Sequence, residues 1–215
     1  MNPCLDDLMR RRPALAACSA SLTNALDVLA DCFRHGHRVY LCGNGGSAAD
    51  CEHWAAELMK GFRLRRPPRT KREHGLPVAL RGLQEGLPMI PLTGYTSLRT
   101  AVSNDLGPDL EFAQPLWVLG QTGDVLVALS TSGRSLNVLR AAQVARARSM
   151  RVIALTGASG GLLRRLADPC VRVPEVETHL VQEAHLAVYH ALSLALEEMF
   201  FGAAGAPPNV ARPRR

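Results

Sequence analysis

A histidine and a glutamate stand four residues apart at His53 and Glu57, in a stretch rich in alanine and leucine. On a helix that spacing puts both side chains on one face, one turn apart. An imidazole and a carboxylate so placed can chelate a divalent ion, although the same pair is also common on ordinary surfaces. Position favours the metal reading, because the pair follows Gly43-Asn-Gly-Gly-Ser-Ala-Ala-Asp50, a glycine turn that opens a helix. Such turns bring free backbone N–H groups up to a phosphate.

A second turn of the same character, Ser130-Thr-Ser-Gly-Arg-Ser135, follows an apolar run and opens another helix. The hydroxyls of Ser130, Thr131, Ser132 and Ser135, added to N–H groups and the helix dipole, suit a phosphomonoester dianion. A helix cap accounts for Ser135 alone, but not for three consecutive hydroxyls in tandem with Gly45, Gly46 and Ser47. The first turn also satisfies G-x-G-x-x-A. A dinucleotide site would need an acid about 20 residues further on, at the end of a second strand. An Arg-rich, proline-broken loop stands there instead.

Near the carboxyl end, Gln182, Glu183, His185 and His190 interrupt an otherwise apolar helical stretch. Imidazole there is a ligand or an acid. Gln182 and His190 lie two turns apart, about 12 Å along the axis, so both reach one ion only if it sits between them. Spacing does not choose this pair over His185.

The elements that must position these groups alternate. Leu15, Leu22, Leu26, Leu29 and Phe33 recur at helical spacing until His35-Gly36-His37. Short apolar strands are predicted at 38–42, 89–92, 124–129, 151–155 and 170–173. Helices are predicted over 47–60, 97–104, around 112–119, from Ser135 to Arg148, briefly up to Ala167, and over 179–200. Continuous apolar strands alternating with helices predict an α/β fold, a doubly wound five-stranded parallel sheet of the flavodoxin-like kind, whose ligands sit outside the strands' carboxyl ends. One domain is expected over 1–201, with an exposed excursion at 61–88 and a disordered basic tail over 202–215.

Of the 215 residues, 47% are hydrophobic and 20% charged, so a sizeable core is expected. The net charge of +6 is concentrated between Arg63 and Arg72 and in Arg212, Arg214 and Arg215. Aromatics are 5% of the chain and do not interleave with these arginines, so no nucleic-acid partner is expected. The six cysteines form no C-x-x-C pair, which fits a reducing cytoplasm. No signal peptide and no membrane span are expected.

Taken together, Gly43 to Asp50 with His53 and Glu57, then Ser130 to Ser135, Leu155-Thr-Gly157, and Gln182-Glu-Ala-His185 with His190 resemble the sedoheptulose 7-phosphate isomerase family of SIS-domain proteins. The motifs keep their order and spacing over 15–200. The resemblance implies that Ser47, Ser130, Thr131, Ser132 and Ser135 hold the substrate phosphate. It implies that Asn44, Gly45, Gly46, Asn104, Asp105 and Gln182 also contact substrate. His53, Glu57, Gln182 and His190 would surround one zinc per subunit, and Glu57 and His190 would move protons as the catalytic pair. It also implies a homotetramer with sites between subunits. At two places the chain departs from better-known members, which carry aspartates where Gly94 and His179 stand here. A non-catalytic SIS module that binds a protein partner or senses a sugar phosphate is the alternative; such relatives lack the last-helix histidine. A hexosamine or sugar-acid phosphate isomerase would share the loops without the zinc quartet.

Overall fold

The computed structural model describes residues 2–68 and 75–202. Five parallel strands form one sheet in the order β2-β1-β3-β4-β5: β1 (Val39–Cys42), β2 (Met89–Pro91), β3 (Val125–Leu129), β4 (Arg151–Thr156) and β5 (Cys170–Arg172). Among the described residues seven α-helices surround it: α1 (Pro3–Arg11), α2 (Ser19–Arg34), α3 (Gly46–Met59), α4 (Thr96–Asp105), α5 (Ala113–Leu119), α6 (Leu136–Ala147) and α7 (Thr178–Phe201). This is the doubly wound arrangement expected from the sequence.

Side chains alternate between the two sheet faces, and that alternation sorts the core. Val39 and Leu41 of β1, with Val125, Val127 and Leu129 of β3, pack with apolar residues of α2, α3 and α7. Tyr40 and Cys42, with Leu126 and Ala128, pack on the other face with α5 and α6. Both faces of β1 and β3 are thereby buried, which is why these strands read as unbroken apolar runs.

Strand order reverses between β1 and β3. In doubly wound sheets this switch point opens a crevice at the strands' carboxyl ends. The turn after β1 and the turn after β3 both border it.

Three features differ from expectation. The first twelve residues contain a helix, α1, capped by the Asn2 side chain accepting from the Cys4 N–H at 2.9 Å, with Pro3 at its first turn. Its charged residues mask two core positions, since Leu5 and Leu8 are fully buried. Secondly, Pro13–Arg34 is long and apolar enough to cross a membrane by length and composition, against the expectation that no window would be. Here its apolar stripe, including Leu22, Leu26 and Leu29, is buried in the core.

Thirdly, the 61–88 excursion is not simply a solvated basic loop. Arg66 is buried against Glu197 of α7, its Nε and Nη2 donating to Oε1 at 3.0 and 2.8 Å. Nη1 donates to the Leu58 carbonyl at 2.8 Å, and the guanidinium lies 4.4 Å from the Phe201 ring centre. Glu197 also accepts the backbone N–H groups of Phe62, Arg63 and Leu64. Residues 69–74 of the excursion and the tail from 203 onward lie outside the described residues.

Candidate functional site

The first loop depends on two glycines with different duties. Gly45 caps α3 at φ +54°, a conformation that side chains disfavour. Gly46 lies under Gln182: a Cβ there would meet the Gln182 amide nitrogen at 2.7 Å. Ser47 follows, almost fully buried at the start of α3.

The second loop closes on itself. Ser130 Oγ lies 3.1 Å from Ser135 Oγ, and Ser132 Oγ accepts the Arg134 N–H at 3.2 Å. Ser135 is the cap residue of α6 but makes no side-chain cap bond, so the simple capping role considered for it is not the one it plays here. Thr131 is half-buried beside it. An amide pair pins the two loops together: Asn44 Nδ2 donates to Asn137 Oδ1 and Asn137 Nδ2 to Asn44 Oδ1, both at 2.9 Å. Two helix starts with their N–H groups thus converge at the switch point, an arrangement able to hold one dianion.

One turn beyond the first loop, α3 presents His53 and Glu57, and α7 packs alongside with His190. His53 Nε2 lies 3.0 Å from Glu57 Oε1, and the His53 and His190 ring centres are 5.3 Å apart at 85°. One ligand atom from each of the three lies within 4.8 Å of the others. Glu57 Oε2 and His190 Nε2 are buried without a hydrogen-bond partner. Buried polar atoms are normally satisfied, so these two orphans at a convergence of ligand atoms fit a metal ion. Burial holds the His190 imidazole below its ordinary pKa, with the Glu57 carboxylate opposing and the charges of His53 and Arg11 adding to the fall. His190 is therefore neutral at physiological pH and available as ligand or base.

The structure also separates the two α7 histidines. His185 is fully buried in the core, where burial pushes its pKa down to about 4 against an opposing contribution from the Thr156 backbone. It does not join His53 and Glu57; His190 does. Gln182 lies with its amide against Gly46, over the first loop. Asn104 and Asp105 are exposed at the end of α4 and hydrogen-bonded to each other at 2.8 Å. His179 is exposed at the start of α7, 3.8 Å from Glu177, and Gly94 has open space around it.

Around the triad stand residues that the sequence reading passed over. The Tyr189 ring meets both the His53 and His190 rings edge-on, and its hydroxyl touches His53 and Asp50. The Phe62 ring lies 5.6 Å from His190. The available signals were Asp50 one turn before His53 and Tyr189 next to His190. Neither is a pattern until α3 and α7 are seen side by side.

The SIS domain family matches residues 8–72 and 84–157, so the fold is that of an α/β protein of the SIS class. The phosphoheptose isomerase of Rhodospirillum rubrum is 42% identical over 184 residues, covering 86% of this chain and 88% of that protein. That of Shewanella baltica is 36% identical over 199 residues, covering 91% and 92%. The solved phosphoheptose isomerase of Neisseria gonorrhoeae superposes with a TM-score of 0.73 at 33% identity, covering 90% of this chain and 95% of that one. The chain belongs to the phosphoheptose isomerase family. It is an enzyme of the sugar-phosphate aldose–ketose isomerase class.

Proposed function

We propose that the protein interconverts sedoheptulose 7-phosphate and a D-glycero-heptose 7-phosphate through an enediolate, with zinc held by His53, Glu57, His190 and Gln182. The observation that carries this reading is the meeting of His53, Glu57 and His190 beside the two loops, with Glu57 Oε2 and His190 Nε2 buried and unpartnered. Names of similar proteins supply the substrate class.

The two loops hold the phosphate through Ser47, Ser130, Thr131, Ser132 and Ser135 and the N–H groups of α3 and α6, with Asn44, Gly45 and Gly46 lining the first turn. Anchoring the remote phosphate places the reacting carbons beside the triad, so that binding energy is used for orientation. Glu57 takes the proton from one carbon and returns it to its neighbour, while His190 moves the proton between hydroxyl and carbonyl oxygens. Glu57 Oε1 faces His53 and Oε2 has no hydrogen-bond partner, so one oxygen can serve as ligand and the other as base. When bound, zinc supplies Lewis-acid polarisation of the substrate oxygens.

The same reading includes one zinc per subunit, a cytoplasmic location and a homotetramer with sites between subunits. Exposed apolar side chains at Val78, Leu80, Leu83, Trp117 and Val118 support self-association. Asn104 and Asp105, which do not meet the triad within one chain, enter the proposal as contacts offered to a neighbouring subunit's substrate.

The test is metal analysis of the purified protein together with sedoheptulose 7-phosphate turnover in wild type, Glu57→Gln and His190→Ala. Stoichiometric zinc with turnover lost in both variants supports the isomerase. A folded, metal-free oligomer inert toward the sugar favours the non-catalytic SIS module.

A further inference from the structure

Tyr189 is fully buried, its ring stacked on Trp54 at 5.5 Å and 18°, so its hydroxyl is held in one place. That hydroxyl lies 2.8 Å from His53 Nδ1 and 3.2 Å from Asp50 Oδ1. A phenol has one proton, and an ionised carboxylate can only accept. The Tyr189 hydroxyl therefore donates to Asp50, which leaves the phenol oxygen to accept from His53. With a cation between His53 Nε2 and Glu57 Oε1, which lie 3.0 Å apart, the His53 proton then sits on Nδ1 and Nε2 turns its lone pair to that cation.

We propose that Tyr189 and Asp50 are positioning residues that lock His53 in its Nδ1–H tautomer, keeping Nε2 free to bind the metal. The inference rests on the zinc centre proposed above and adds two residues that touch neither substrate nor metal. It has a structural rationale beyond the tautomer. Asp50 and His53 are one turn apart on α3 while Tyr189 comes from α7, so the Asp50–Tyr189–His53 chain joins the two helices that carry the ligands. Asp50 Oδ2 is buried without a hydrogen-bond partner, so removing the phenol would leave this carboxylate with neither oxygen satisfied. Partners that fix the second nitrogen of a ligating histidine raise metal affinity about 10–100-fold.

The experiment has two readings, both on the full-length chain. Nitrogen-15 NMR of the metal-free Glu57→Gln chain, where a neutral amide able to donate or accept replaces the carboxylate facing Nε2, reports the tautomer, with the His53 signals assigned by their loss on adding His53→Ala. Competition with a chelating indicator reports zinc affinity. Expected are an Nδ1–H ring in Glu57→Gln, a shift toward Nε2–H when Tyr189→Phe is added to it, and, with Glu57 intact, zinc binding about 10–100-fold weaker in Tyr189→Phe and in Asp50→Ala. Phenylalanine keeps the stack on Trp54. The double variant is expected to bind no more weakly than either single one, because the two residues act in series. Asp50→Asn, which keeps an oxygen for the phenol, should recover most of the affinity lost in Asp50→Ala; a general packing defect would not give that rescue.

An Nε2–H ring in Glu57→Gln, or undiminished zinc affinity in Tyr189→Phe, would overturn the proposal. If wild type bound no zinc, the proposed function would fail on its own, while the tautomer of the metal-free Glu57→Gln chain would still decide what Tyr189 does.

Discussion

His53 Nε2 lies 3.0 Å from Glu57 Oε1 across one turn of α3. A lone pair and a carboxylate oxygen at that separation repel unless a proton or a cation lies between them. With His190 completing the cluster, a cation is the better occupant. Exhaustive treatment with a chelator is expected to abolish turnover, and added zinc to restore it. In the zinc-loaded enzyme, Glu57→Gln should lower kcat by about 10²–10⁴-fold, the usual contribution of a positioned base, with a much smaller change in KM. Steady-state kinetics at matched zinc content decide this, and a variant retaining a tenth of wild-type kcat would remove Glu57 from the proton transfer.

His185 predicts a pH dependence of stability. Its folded pKa, about 4, lies below the ordinary histidine value because burial disfavours the charged ring. Below about pH 6.5 the unfolded chain binds a proton that the folded chain refuses, so stability falls as pH drops from that value toward 4. From pH 6.5 to 5 the loss attributable to this residue is about 1.5 kcal/mol, since the slope starts near half of its limiting value of about 1.4 kcal/mol per unit and steepens as the unfolded ring becomes protonated. Urea denaturation at the two pH values should show a smaller difference in His185→Leu than in wild type. Equal pH sensitivity in the two proteins would mean that His185 is not the group responsible.

The sheet and its two loops were legible in the sequence because β1 and β3 are buried on both faces, which leaves runs such as 125–129 without a polar residue. The loops were legible because glycines and hydroxyls follow those runs directly. The choice between His185 and His190 was not legible by spacing, since it turns on which face of α7 meets α3. Arg66 is illegible for a related reason. In a run of arginines nothing marks the one whose partner, Glu197, lies 131 residues away. The α1 helix is hard to read from sequence because Leu5 and Leu8 are its buried residues, too few to reveal a period among so many charges.

Ser130 and Ser135 form a hydroxyl pair at 3.1 Å in the turn after β3. A hydrogen bond to a charged group contributes about 1.5–3 kcal/mol, so Ser130→Ala should weaken phosphate-dependent binding by about 10–100-fold. Inhibition by inorganic phosphate measures this without the chemistry. Gly46→Ala offers a contrasting lesion, since its Cβ displaces the Gln182 amide while leaving every hydroxyl in place. It should reduce turnover with less effect on phosphate inhibition, and the opposite pattern would place Gln182 at the phosphate.

Arg66 and Glu197 predict an asymmetry. Truncating one member of a buried ion pair commonly costs about 3–5 kcal/mol, because the other charge is stranded. Glu197→Ala strands the buried Arg66 guanidinium and also the N–H groups of Phe62, Arg63 and Leu64, so it should reach the upper part of that range. Arg66→Met leaves Glu197 still accepting from three backbone N–H groups and fills similar volume, so it should cost clearly less. Urea denaturation of both variants checks the order, and equal losses would show that the backbone contacts contribute little. The carboxylate has a second consequence through Phe62, whose N–H it holds at 2.8 Å while the ring rests on His190. Loosening that contact admits water to the buried side of the imidazole, so Glu197→Ala should lower kcat even at temperatures where the variant remains folded, and Arg66→Met should leave it nearly unchanged.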